Sequence, residues 1–141
     1  MRRFANSLLA SLAIAPSASL FIALLTGSLR QQRLTLEWPE LIEGGTAAIA
    51  LIAAFPGMLI FLSLHRWLHN KTRRVSVFAG CTLLACCFSA FLLAQAFGTT
   101  WSSREILLEL MAAQLPLLAL ALLPGTLLIS LLPAAGPRRP V

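Results

Sequence analysis

Val75 to Phe97 reads VSVFAGCTLLACCFSAFLLAQAF, 23 residues without a charge. The run shows no strict alternation of apolar and polar positions, so it is not a half-buried strand. A helix of about 20 apolar residues covers the roughly 30 Å of hydrocarbon in a bilayer. Backbone groups left unpaired in lipid are not tolerated, so a run of this kind is read as a membrane-spanning helix.

Three further runs are similarly apolar: Phe4–Leu29 and Gly44–Leu64, which carry no charge, and Ile106–Leu132, in which Glu109 is the one charged residue. The whole chain of 141 residues is 58% hydrophobic and 11% charged. Soluble domains carry about 25% charged residues, and a short soluble chain has too little interior to hide this much apolar surface. The expected fold is all-α, an integral membrane four-helix bundle forming one domain over residues 1–141, with spans at about 4–29, 44–64, 75–97 and 106–132. The proline-rich tail, residues 133–141, is expected to be a short disordered cytoplasmic segment. Arg2, Arg3 and the small residues near Ser17–Ser19 resemble a secretory leader, but the apolar stretch continues through Leu25 and outruns a leader core.

The net charge of +6 does not point to nucleic acid, because the charges sit in short clusters between apolar runs and form no basic face. They fit topology instead. Arg2, Arg3, Arg66, Lys71, Arg73, Arg74, Arg138 and Arg139 fall on one side, eight in all, against Arg30, Arg33 and Arg104 on the other. The positive-inside rule then places both termini in the cytoplasm. Ten of the eleven basic residues are Arg, a bias of GC-rich bacterial genomes, which makes a bacterial inner membrane the expected location. Trp67 falls at the inner interface, and Trp38 and Trp101 at the outer one, as belt residues do. A short interfacial helix is expected to start at Pro39. Ser102 and Glu105 have the spacing of a capping box at the start of the fourth span.

The runs form two hairpins of similar design, tandem and parallel: helices one and two, then three and four. Arg2-Arg3 recurs as Arg73-Arg74, 71 residues later, and Phe55-Pro56-Gly57 recurs as Leu123-Pro124-Gly125, 68 residues later. Helix one carries small residues at Ser7, Ser11, Ala15, Ser19, Ala23 and Gly27. Helix three carries them at Thr82, Cys86, Ala90, Ala94 and Gly98, with Phe78 as the departure. Small residues four apart let two helix backbones approach in lipid, so a close right-handed crossing of helices one and three is expected.

Few residues offer chemistry. Cys86 and Cys87 are adjacent thiols with Cys81 nearby, but neighbours on a helix point about 100° apart and share one soft metal ion poorly. His65 and His69 lie four apart, a metal-compatible spacing, among positive charges that oppose a cation. Anchoring at the interface is the simpler role. Glu109 is the acid deepest in an apolar run. It is the natural proton carrier if the chain transports a solute, and a wet helix-end group otherwise. Gln95 and Gln114 suit a hydrogen bond between helices. Pro16, Pro56, Pro116 and Pro124 lie inside spans and are expected to kink them.

No catalytic residues, metal site or cofactor emerges. The expectation is a non-catalytic accessory, assembly or immunity-type protein that packs in the lipid bilayer against another membrane protein or itself. A small dimeric transporter or channel, proton-coupled or carrying a soft metal, is the alternative. The topology is checked by fusing reporters after Val141. Alkaline phosphatase fused there should be inactive, and a cytoplasm-dependent fluorescent protein should be bright; the opposite pair of results reverses the orientation.

Overall fold

A computed structural model gives the architecture of residues 2–37, 45–64, 67–68, 70–96, 100 and 102–132. These residues are all-α, with no strand among them. In chain order the elements are α1 (Arg2–Leu12), α2 (Ile14–Gln31), α3 (Gly45–Ser63), α4 (Lys71–Ala96), the single turn α5 (Ser103–Glu105), a π-helical stretch (Ile106–Ala112) and α6 (Leu115–Leu131). Two stretches of helix are long and apolar enough to cross a membrane, Phe4–Gln31 and Lys71–Gln95, and a third if Ser103–Ala112 and Leu115–Leu131 are taken as one bent span. Such helices are the mark of a membrane protein. In α3 the apolar stretch Leu51–Ser63 is shorter. The proposed interfacial helix at Pro39, the belt residues Trp38 and Trp101, the pair His65 and His69, Gly98 and the tail all lie outside the described residues.

Prolines account for two of the irregularities. Pro16 has no N–H, and its ring presses on the carbonyl four residues back. The first long helix accordingly breaks at Ala13 into α1 and α2, and the flanking bonds Ala13 N–H to Leu9 O and Ser17 N–H to Ala13 O stretch to 3.2 and 3.3 Å. Pro116 stands in the first turn of α6, where a missing N–H costs least. The fourth run was expected as one kinked helix from Ile106 to Leu132. It is instead divided at Ala113–Gln114, with 66° between the two parts.

The end of α2 is fixed differently. Gln32 adopts the left-handed conformation at φ 52° and returns its N–H to Ser28 O at 3.0 Å. The chain then folds back along the last turns of α2. It rests the Thr35 carbonyl on Gly27, where there is no room for a Cβ. Gly27 was expected in the helix-packing ridge; what it accommodates is the returning loop.

The packing has a centre and two flanks. α2 packs against α3, α4 and α6, and α4 packs against α2, α3 and α6, while α3 and α6 lie on opposite sides without comparable contact. The α2–α4 pair is therefore the middle of the assembly. The buried side chains of these two helices are mostly small, among them Ala18, Ala23, Ala85, Cys86, Ser89 and Ala90. Large apolar side chains are exposed instead, as with Leu51, Ile52 and Phe55 of α3 and Leu123, Leu127 and Leu131 of α6. A helix apolar on every side, with its bulk outward, suits lipid.

Phe78 of α4 is the large exception at the centre. It is fully buried and meets Phe61 of α3 edge-on, ring centroids 6.1 Å apart at 89°. On its other side Gly125 of α6 leaves room for the ring: a Cβ there would lie 2.6 Å from the Phe78 rim and 2.8 Å from Ser17 Oγ of α2. One ring thus abuts α3 and α6 from α4. Gly57 plays a similar part in α3, where a Cβ would stand 2.7 Å from the Cys81 carbonyl oxygen of α4.

Alanine substitutions separate these glycines. Gly57→Ala and Gly125→Ala should each destabilise by about 1–3 kcal/mol, because backbone or a buried ring must move. Gly80→Ala, which meets nothing within 4 Å, should be neutral or stabilise by up to about 1 kcal/mol through helix propensity. Thermal unfolding in detergent gives the comparison. Equal effects at the three sites would show that close approach at Gly57 and Gly125 contributes nothing.

Candidate functional site

Two regions hold the residues with possible chemistry: the α2–α4 seam and the break that leads into α6. Of the small residues, Ser11 on α1 and Ala15, Ala23 and Gly27 on α2 are buried and Ser19 is half-buried; on α4, Thr82, Cys86, Ala90 and Ala94 are buried. Ser11 donates to Leu8 O at 2.7 Å and Ser17 to Ala13 O at 3.0 Å, so these hydroxyls are satisfied within their own helix. Thr82 and Ser89 differ. Both are fully buried, and neither hydroxyl oxygen has a hydrogen-bond partner. Seven residues apart, they share one face of α4. Thr82 was anticipated as a small ridge residue. Ser89 was not, although its spacing to Thr82 and Cys86 places it on the same stripe.

The cysteines are thiols in an apolar setting. Cys81 and Cys86 are buried, Cys87 is half-buried, and all three are free. Among the described residues no group of three His, Cys, Asp or Glu is placed to hold a metal ion.

The break is built from local signals. Ser102 caps the short turn α5: its N–H and hydroxyl donate to Glu105 Oε2 at 2.7 and 2.8 Å, and its oxygen accepts from Glu105 N–H at 3.4 Å. Those hydrogen bonds hold the exposed Glu105 carboxyl below its usual range. Beyond it the backbone widens into the π-helical stretch, closed by Ala113 N–H to Leu108 O at 2.9 Å. Runs of this geometry are rare and recur at functional sites. Ile106, Leu110 and Met111 of this stretch are buried, whereas Leu107, Leu108 and Glu109 are exposed. Glu109 therefore faces outward from the packed helices. Gln95 near the end of α4 is exposed too, and Gln114 at the break is half-buried. No hydrogen bond joins the two glutamines.

This arrangement pairs no nucleophile with a base among the described residues. The hydroxyls and thiols sit inside without acids or imidazoles, and the acids sit outside without thiols. Arg74, grouped by sequence with the cytoplasmic anchoring charges, is buried at the start of α4 and bonds its N–H to Asn70 O at 3.0 Å. Nothing in the charge pattern distinguishes it from exposed Arg73.

The unpartnered hydroxyls make a testable contrast. Removing a buried polar group that lacks a partner relieves a desolvation cost. Thr82→Val and Ser89→Ala should therefore leave the thermal midpoint unchanged or raise it, by about 1 kcal/mol each. A clear loss in both would show that these hydroxyls are engaged. No protein family, curated protein or solved structure matches the chain, so these residues are read by their own chemistry.

Proposed function

We propose that this chain is a non-catalytic accessory subunit of the bacterial inner membrane. It would cross the bilayer four times as two tandem hairpins, with both termini cytoplasmic, and bind another membrane protein through its outward-facing polar positions. The single observation that carries this reading is the direction of Glu109. A carboxylate in an apolar stretch, beside the exposed Leu107 and Leu108, does not face the interior of its own helices. Charged groups in spans turn toward a bundle interior or water because lipid is costly for them. Glu109 meets that requirement when a second protein covers the face or when it stays at the wet rim. The centre supports the same reading, since the buried side chains of α2 and α4 are mostly small and apolar.

A second reading, a small dimeric transporter, draws on a different observation. The 66° division of the last span and its π-helical entrance resemble the discontinuous helices that hold ions in transporters. Glu109 would then be the proton carrier, with Gln95 and Gln114 as polar neighbours.

Site-specific photo-crosslinking separates the two. A photoreactive residue at position 109 should give one discrete heterologous adduct in intact membranes, and the same group at Leu83, on the outward side of α4, should give none. The transporter reading is supported instead if the purified chain moves a solute in vesicles and Glu109→Gln abolishes it.

A further inference from the structure

Between α1–α2 and α6 runs an apolar groove that packing leaves open. Its larger part, about 490 Å³, lies among Leu9, Pro16, Leu20, Pro124 and Leu128. A second part of about 300 Å³ shares Leu20 and Pro124 and continues to Leu24, Leu34 and Leu36. We propose that this groove holds one acyl chain of an anionic phospholipid, with the lipid phosphate bound at Arg33.

Three observations carry the assignment. The first is length. From Leu9 to Leu24 the groove follows 15 residues of helix, about 22 Å at 1.5 Å per residue. That is much of the roughly 30 Å hydrocarbon core. The second is the lining. Ser17 is the one polar side chain in the larger part, and its hydroxyl already donates to Ala13 O at 3.0 Å. The groove asks for an occupant with no hydrogen bonds to make. Its volume is also small for a helix, since 22 Å of a helix about 10 Å wide takes roughly 1,700 Å³. A second copy's helix would rest across the mouth, whereas a hydrocarbon chain fits inside.

The third observation is the charge at one end. The fold-back of the chain onto Gly27 brings Leu34 and Leu36 to the end of the groove. Arg33, the residue before Leu34, is exposed and has no ion pair among the described residues, whereas neighbouring Arg30 pairs with Glu37 at 3.8 Å. An exposed guanidinium one residue from the groove-lining Leu34 can fork onto phosphate oxygens. Left-handed Gln32 and the Thr35 N–H to Arg33 O bond of 2.9 Å fix the turn that carries it.

The test is native mass spectrometry of the full chain released from nonionic detergent, titrated with phosphatidylglycerol. One lipid per chain should remain bound at activation energies that strip the rest. Arg33→Gln should weaken retention about tenfold, the loss of one charged hydrogen bond, and should lessen the preference over a zwitterionic lipid. Leu20→Trp, which fills the shared waist of the groove, should abolish retention, while Leu83→Trp on the outward side of α4 should not. Equal retention by wild type, Arg33→Gln and Leu20→Trp would mean only non-specific boundary lipid and would overturn the proposal. A lipid-free dimer that Leu20→Trp dissociates would assign the groove to a second copy and overturn it as well.

Discussion

The rest of this structure depends on α2 and α4, which pack against each other and each against both flanking helices. In a bilayer, burying a leucine against a helix gains little over leaving it against a lipid tail. What remains is dispersion, which falls away within a fraction of an ångström of contact distance. Small side chains favour such contact, and Ala18 and Ala23 of α2 and Ala85, Cys86 and Ala90 of α4 are all buried. The bulk displaced from the seam appears on the outside, in Leu51, Phe55, Leu123 and Leu127. The chain sorts its residues by size where a soluble protein sorts them by polarity.

Phe78 refines that rule. A seam made only of small residues would hold two helices but would not orient the flanking pair. One large ring, edge-on to Phe61 and seated against Gly125, sets the positions of α3 and α6 relative to α4. The two Pro-Gly pairs are placed accordingly. Pro56 and Pro124 lie inside their helices next to Gly57 and Gly125, where a Cβ would meet atoms of α4.

Much of this was legible in the sequence because lipid imposes simple rules. Charge-free runs mark helices, and Ser102 with Glu105 announces a capped start that the hydrogen bonds reproduce. Ala23, Cys86 and Ala90, picked out by a four-residue period of small residues, are buried. Other features depend on distant partners and leave no local trace. Gly27 continues the ridge in sequence, yet its neighbour is Thr35, brought there by the left-handed turn at Gln32. Phe78 reads as a defect in a stripe of small residues until Gly125 is seen beside it. Pro116 signals a disturbance, but a proline cannot say whether the helix will kink or divide. At Ala113–Gln114 the change to π geometry upstream turns a kink into a division. Glu109 was noticed for its charge; its outward direction follows from the widened backbone and the buried Ile106 and Leu110.

The distribution of contacts also has a bearing on biogenesis. α6 leans on α2 and α4 and hardly on α3, so a nascent chain released as far as Ala96 already owns every partner that α3 needs. Three helices can settle while the ribosome is still making the last. The final segment then arrives as a latecomer, bent at its entrance, to a vacant flank where the Phe78 ring awaits Gly125. For that interval the exposed flank of α2 and α4 is a client surface for whatever insertase or chaperone attends the chain.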